Sequence, residues 1–170
     1  MTRLNQSVRI LLCLCLISIC AATDSWEVHD NGVGPVKIGI TLAKLNSIFH
    51  GKLTLPADKD SQSCFYATSA DHPHINFMIQ DSTLVRIDVD GPGVATKDGI
   101  QVGDTEGRVM KAYGGKLKVE PHENSGPEGH YLTTRSSDGL NGIRFETNEG
   151  KVEMFYVGTY DAIHVEEGCQ

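Results

Sequence analysis

The sequence predicts an α+β protein built from two tandem repeats, each a short helix packed on an antiparallel β-meander. Three observations lead there. Residues 36–53 align with residues 100–117: Gly39 meets Gly103, Thr41 meets Thr105, and Gly51-Lys52-Leu53 meets Gly115-Lys116-Leu117. Residues 75–89 align with residues 143–157, setting Phe77 against Phe145, Leu84 against Val152, Ile87 against Phe155 and Val89 against Val157. Within each copy the apolar spacing then changes from helical to alternating, which is how one helix followed by strands reads. Two units of about 65 residues are marginal alone, so they are expected to share an interface.

Each element has its own local reason. Val36, Ile38 and Ile40 form a short extended stretch, as do Ile100 and Val102. Thr41 and Thr105 are placed as N-caps, because a hydroxyl there accepts from the free amides of a starting helix. Leu42, Leu45 and Phe49 recur at helical spacing, as do Val109, Ala112 and Tyr113. Gly51 and Gly114-Gly115 end the helices. Ile75, Phe77 and Ile79 alternate, then Leu84, Ile87 and Val89 after a slip; Ile143 and Phe145 are followed by Val152, Met154 and Tyr156. Asn148-Glu149-Gly150 is a hairpin turn, with Asp81-Ser82 in the matching place. Asp90-Gly91-Pro92-Gly93 reads as the turn between repeats 23–93 and 94–170, and Ser136–Gly139 as a further hairpin turn.

Residues 1–22 read as a secretory signal peptide. Arg3 and Arg9 open it, Ile10 to Ile19 is apolar apart from Ser18, and Ala21-Ala22 offers small residues for cleavage. The apolar run is about ten residues where a spanning helix needs roughly 20, so no transmembrane segment is expected to remain. The protein is expected in the periplasm or outside the cell. A lipid anchor on Cys20 is the competing reading, and Ile19 occupies the position where such sites want a small residue.

Cleavage would remove Cys13, Cys15 and Cys20 and leave Cys64 and Cys169, most simply a disulfide in an oxidising compartment. It would also remove two arginines of the 15 basic residues and none of the 22 acidic ones, deepening the formal charge from −7 to −9. Such acidity argues against nucleic acid as a partner.

The Gly-x-Thr start and the helix closing on an aromatic residue and Gly read Gly39-Ile40-Thr41…Leu45…Phe49-His50-Gly51 and Gly103-Asp104-Thr105…Val109…Tyr113-Gly114. This pattern resembles the repeat of β-lactamase inhibitory proteins and of outer-membrane assembly lipoproteins of the SmpA/OmlA type. The resemblance covers the helical third of each half, and the strands by pattern. It implies the fold above, and its tandem form suits the inhibitors more than the single-repeat lipoproteins. None of the inhibitors' contact residues carries over.

No G-x-S-x-G, H-E-x-x-H, Walker loop or C-x-x-C occurs after residue 22, so no enzyme is expected. The leading expectation is a non-enzymatic module binding another protein of the envelope or medium, as an inhibitor of a hydrolase or as an assembly factor. Strand positions Asn76, Met78, Arg86, Arg144, Glu146 and Glu153 are expected to be exposed and to carry that face. The first alternative is a metal-binding protein. His72, His74, His122 and His130, with Glu123, would hold zinc if the two histidine loops converged, because imidazole and carboxylate suit that metal; otherwise no cofactor is expected, and the histidines are ordinary loop residues. The second alternative is a binder of glycans or envelope polymers. Asp88 and Asp90, two apart, could share one face for acid–base or calcium chemistry, though the string lacks the further acids of a calcium loop. Trp26 either anchors the N-terminal strand or stands exposed, burial being its commoner fate.

Overall fold

A computed structural model describes residues 26–59, 62–122 and 125–169. The expected signal peptide and Cys20 lie outside these residues, as does Glu123. No helix of the described residues is long and apolar enough to cross a membrane.

The described chain opens with three two-residue strands, β1 (Val28–His29), β2 (Gly32–Val33) and β3 (Val36–Lys37), paired antiparallel in that order. Alternation buries Val28, Val33 and Val36 completely. Gly32 is required here, since the Val36 carbonyl occupies the place of a Cβ. Helix α1 (Leu42–Ile48) follows, and Thr41 caps it by accepting from the Lys44 N–H. Strands β4 (Cys64–Thr68), β5 (Ile75–Gln80) and β6 (Thr83–Val89) lead to helix α2 (Glu106–Tyr113), capped by Thr105, which accepts from the Arg108 N–H. A 3₁₀ turn (Gly114–Lys116) precedes β7 (Lys118–Pro121), β8 (His130–Thr133), β9 (Asn141–Asn148) and β10 (Lys151–Thr159). A last 3₁₀ turn spans Ala162–His164.

Seven strands form one antiparallel sheet in the order β4-β5-β6-β10-β9-β8-β7. Its centre is the β6–β10 pair, where Val89 lies opposite Phe155 and Ile87 opposite Val157. The two long hairpins turn as expected. Asp81 and Ser82 have φ of 48° and 63°, Glu149 and Gly150 of 48° and 73°, the left-handed pair that matches strand twist.

Each helix start is bonded to one hairpin by the same contacts. The Gly39 N–H donates to Leu84 O and the Leu84 N–H to Ile40 O; the Gly103 N–H donates to Val152 O and the Val152 N–H to Asp104 O. The architecture nevertheless departs from the expectation. A single sheet replaces two meanders, the small sheet precedes only α1, β7 follows only α2, and no tandem repeat is evident in the whole. Val102 falls in a turn and Ile100 outside any strand, next to the Ala95–Gln101 bridge.

One face of the large sheet carries the core. Phe77, Ile79, Leu84, Ile87, Phe145, Val152, Phe155 and Val157 pack with Leu45 of α1 and Val109 of α2, all of them buried. Phe49 lies edge-on to Phe77 and Tyr113 tilts against Phe145. At the sheet's edges, Thr54 exchanges two backbone hydrogen bonds with Thr68 of β4, while β7 ends on Pro121.

The other face is crossed by the segment after β10, from which Ala162 and Ile163 are buried. The expected disulfide closes this crossing: Cys64 at the start of β4 is bonded to Cys169, 105 positions later. In the chain-entropy picture a loop of that length is worth about 4–5 kcal/mol. The Cys64→Ser, Cys169→Ser double variant is therefore expected to lose about 2–5 kcal/mol in urea unfolding. An unchanged midpoint would mean that the segment is held by its other contacts alone.

Candidate functional site

Alternation along the strands sends one row of polar and aromatic side chains to the face away from the helices. Tyr66, Met78, Arg86, Asp88, Tyr156, Arg144, Glu146, Tyr131 and Glu120 follow one another across neighbouring strands. The sequence placed several of these on a shared face but expected them in solvent. Arg86, Arg144 and Met78 are buried, at 2%, 4% and 3% exposure, whereas Glu153 is exposed and Asn76 and Glu146 are intermediate. The correction has a physical cause: period two identifies a face but not what lies over it.

Arg86 is the centre of the row. Its Nε and Nη2 donate to both carboxylate oxygens of Asp88, at 2.7 and 2.9 Å. Nη2 also donates to Tyr66 Oη, which in turn donates to Asp88. Nη1 donates to the carbonyls of Ala162 and Val165 in the covering segment, and the guanidinium lies 4.4 Å from the Tyr156 ring centre. Burial works against this charge, but the Asp88 hydrogen bonds and negative charge outweigh it and raise the guanidinium's pKa. Asp88 is thus the partner of Arg86, while Asp90 bonds Asn76 and His74; the two acids do not form a site.

Arg144 repeats the stacking on Tyr131, 3.9 Å from the ring centre, and donates to Thr133 Oγ1. Tyr156 Oη donates to Glu146, which also faces His122 at 3.6 Å. This end is less complete: Arg144 Nε and His122 Nδ1 are buried without a hydrogen bond.

The four candidate zinc ligands are not brought together. His72 stacks on Trp26 at 3.6 Å, His74 pairs with Asp90, His122 stacks on Tyr131, and His130 Nδ1 meets Glu106 at 3.0 Å. Among the described residues no group of three or more metal-ligating side chains exists. His72 and His74 stand before β5, His122 follows β7 and His130 opens β8, and each is occupied by its own neighbours. Trp26 anchors the N-terminal strands, half-buried against Phe49 and His72.

A cleft of about 450 Å³ lies elsewhere, where three turns converge. Lys97 and Asp98 come from the turn before α2, Tyr113 and Lys116 from its C-terminal end, Thr134, Arg135 and Ser137 from the β8–β9 connection, and Asp30 from the β1–β2 turn. Lys97 pairs with Asp30 at 3.1 Å. Arg135 lies 4.0 Å above the Tyr160 ring and donates from Nε to Gly139 O, which holds the guanidinium at the rim. Tyr113 is 8% exposed, and its hydroxyl completes no hydrogen bond although Thr96 and Asp98 lie beside it. Burial pushes its pKa up, so it is a neutral donor. A shallower depression of about 260 Å³ continues the cleft past Asp30, Lys97 and Ser137 to His29, Asn31 and Asn141. Sequence reasoning placed Tyr113 in the helix and Ser136–Gly139 in a turn, and missed the cleft. Its basic residues stand in polar turns far apart in the chain, and only the topology joins them.

No family model matches this chain, and no curated protein does. Among solved structures, the chain is similar to an extracellular protein containing an SCP domain from Bacillus anthracis, at 11% identity and a TM-score of 0.49, over 78% of this chain and 47% of that one. It is also similar to a DUF4309 family protein (YjgB) from Bacillus subtilis, at 14% identity and a TM-score of 0.47, over 75% of this chain and 84% of that one. A cysteine-rich secretory protein from Staphylococcus aureus matches at 14% identity and a TM-score of 0.48, over 87% of this chain and 55% of that one. The chain thus spans about half the length of two of the three. None of these three is described as an inhibitor or assembly lipoprotein of the kind the Gly-x-Thr pattern resembles, and that resemblance is withdrawn.

Two expectations follow. Arg86→Met leaves Asp88 buried without its cation and should cost about 3–5 kcal/mol in urea unfolding, while Arg86→Met with Asp88→Leu should recover much of it. His72 is held below the ordinary imidazole range by burial, against the pull of Asp71. Between its folded and unfolded values the folded chain binds fewer protons. Its contribution to stability is therefore full above the unfolded value of about 6.5 and fades as pH falls toward the folded one. Trp26 is the only tryptophan, so its fluorescence should titrate with a midpoint below pH ~6.5, and lose that step in His72→Gln.

Proposed function

We propose that this chain is an exported, non-enzymatic module that binds another protein, with the cleft at Tyr113, Lys97, Lys116 and Arg135 as the docking place. The cleft carries this reading. It is open, it combines both charge signs with hydroxyl donors, and Tyr113 lines it with a desolvated hydroxyl that completes no hydrogen bond of good geometry, with Thr96 and Asp98 beside it. A buried donor of that kind is costly when unmade and specific when met. On the face opposite the helices most side chains are spent on one another, and its buried Arg144 Nε and His122 Nδ1, which lack a hydrogen bond, line no part of this cleft.

Export to the periplasm or the medium is supported by the Cys64–Cys169 bridge, since such bonds persist in oxidising compartments. Within the halves 23–93 and 94–170, the stretches that join α1 to the β5–β6 hairpin and α2 to the β9–β10 hairpin are read as two settings of one local unit, on the strength of the matched hydrogen bonds from Gly39 and Gly103. Inhibition of a hydrolase and envelope assembly are the two roles such a module would serve. A glycan reading finds less here. Sugars favour a bare aromatic face, and the Tyr160 ring beneath Arg135 is already covered.

The test immobilises residues 23–170 and a Lys116→Glu, Arg135→Glu variant of equal thermal stability, and exposes both to the producing cell's envelope extract and medium. A protein retained by the first and lost from the second, and then bound by the purified chain in calorimetry, is the expected result. Retention unaffected by the two substitutions, or none at all, overturns the proposal.

A further inference from the structure

We infer that the cleft selects an acidic segment of its partner, seating a carboxylate between Lys116, Arg135 and the Tyr113 hydroxyl; this rests on the docking reading above. The chain as a whole is acidic, at −7, so a cationic pocket in it is a local exception. Lys97 is neutralised by Asp30, and Asp98 is the remaining acid of the lining. Lys116 has no ion pair among the described residues, and Arg135 spends Nε on a carbonyl and its face on Tyr160, so the balance is cationic.

The donors suit this ligand. Stacking on Tyr160 and the Nε bond fix the guanidinium plane, and an oriented guanidinium binds carboxylate as a fork. The Tyr113 hydroxyl is nine-tenths buried and neutral, and stands beside Thr96 and Asp98, where it can turn its proton to an incoming oxygen. At physiological salt, screening over about 8 Å lets these near groups decide the ligand while the distant acids are muted. An acidic peptide meets all three, whereas a basic one meets only Asp98.

Calorimetry and amide NMR on the purified chain would compare end-blocked tetraglutamate, end-blocked tetralysine, a galacturonate oligomer and inorganic phosphate. Tetraglutamate is expected to bind, to perturb amides of residues 96–99, 113–116 and 134–139, and to weaken with salt. Lys116→Glu should lower its affinity at least tenfold, and Tyr113→Phe several-fold without loss of thermal stability. Absence of tetraglutamate binding overturns the inference, as does equal binding by Lys116→Glu. Tetralysine, galacturonate or phosphate binding more tightly than tetraglutamate overturns it too. If capture of a partner still depends on Lys116 and Arg135 while tetraglutamate fails, the inference falls and the docking reading stands; if both fail, both fall.

Discussion

The guanidinium of Arg86 decides how the second face of this sheet is built. It is a cation almost wholly removed from water, and such a charge persists only where its donors are answered. Asp88 answers two of them from the same strand, Tyr66 a third from the sheet's edge, and the remaining bonds go to Ala162 and Val165 beyond β10. The carbonyls are the telling partners. They belong to a segment with little secondary structure of its own, and their bonds to Arg86 hold its course across the sheet. The disulfide and Ile163 then secure what the cation has oriented. A polar face that alternation alone would leave wet becomes the floor of a second, smaller interior.

Much of the framework was legible in the residues. Thr41 and Thr105 cap the helices because a hydroxyl at that position meets a free amide, a local rule needing no tertiary knowledge. Asp81-Ser82 and Glu149-Gly150 turn the hairpins for an equally local reason, their tolerance of positive φ. The cysteine arithmetic held because only two thiols remain after residue 22. The disulfide apart, what failed depends on a distant partner. Strand period assigned Arg86, Arg144 and Met78 to the right side of the sheet, yet the chain that covers Arg86 arrives 76 residues after it. β4, β7 and β8 are short strands without a strong apolar alternation, and their neighbours in the sheet define them. The matched pair of helix-and-hairpin stretches suggested two units, whereas β6 and β10 merge them into one sheet.

The histidines and the cleft show the same boundary from opposite sides. His72, His74, His122 and His130 were conspicuous by type and spacing, and each proves to be engaged by one nearby ring or carboxylate. The residues of the cleft were inconspicuous, being ordinary turn residues and one helical tyrosine. Chemistry came from convergence and not from motif. Tyr113 is instructive, because helical spacing correctly placed its ring in the core while saying nothing of the hydroxyl at its end.

The two ends of the large sheet have a consequence for how the molecule behaves in company. A sheet that stops at a bare strand offers its unused amides and carbonyls to the next copy, and fibrils grow by that route. Here the chain has dressed one border with Thr54, which takes up the backbone of Thr68, and finished the other with Pro121, whose nitrogen has no hydrogen to give. Lys118 and Glu120, a charged pair on that same outer strand, add water-loving groups where a neighbour would have to lie flat. A protein so hemmed can become crowded without knitting into its own kind.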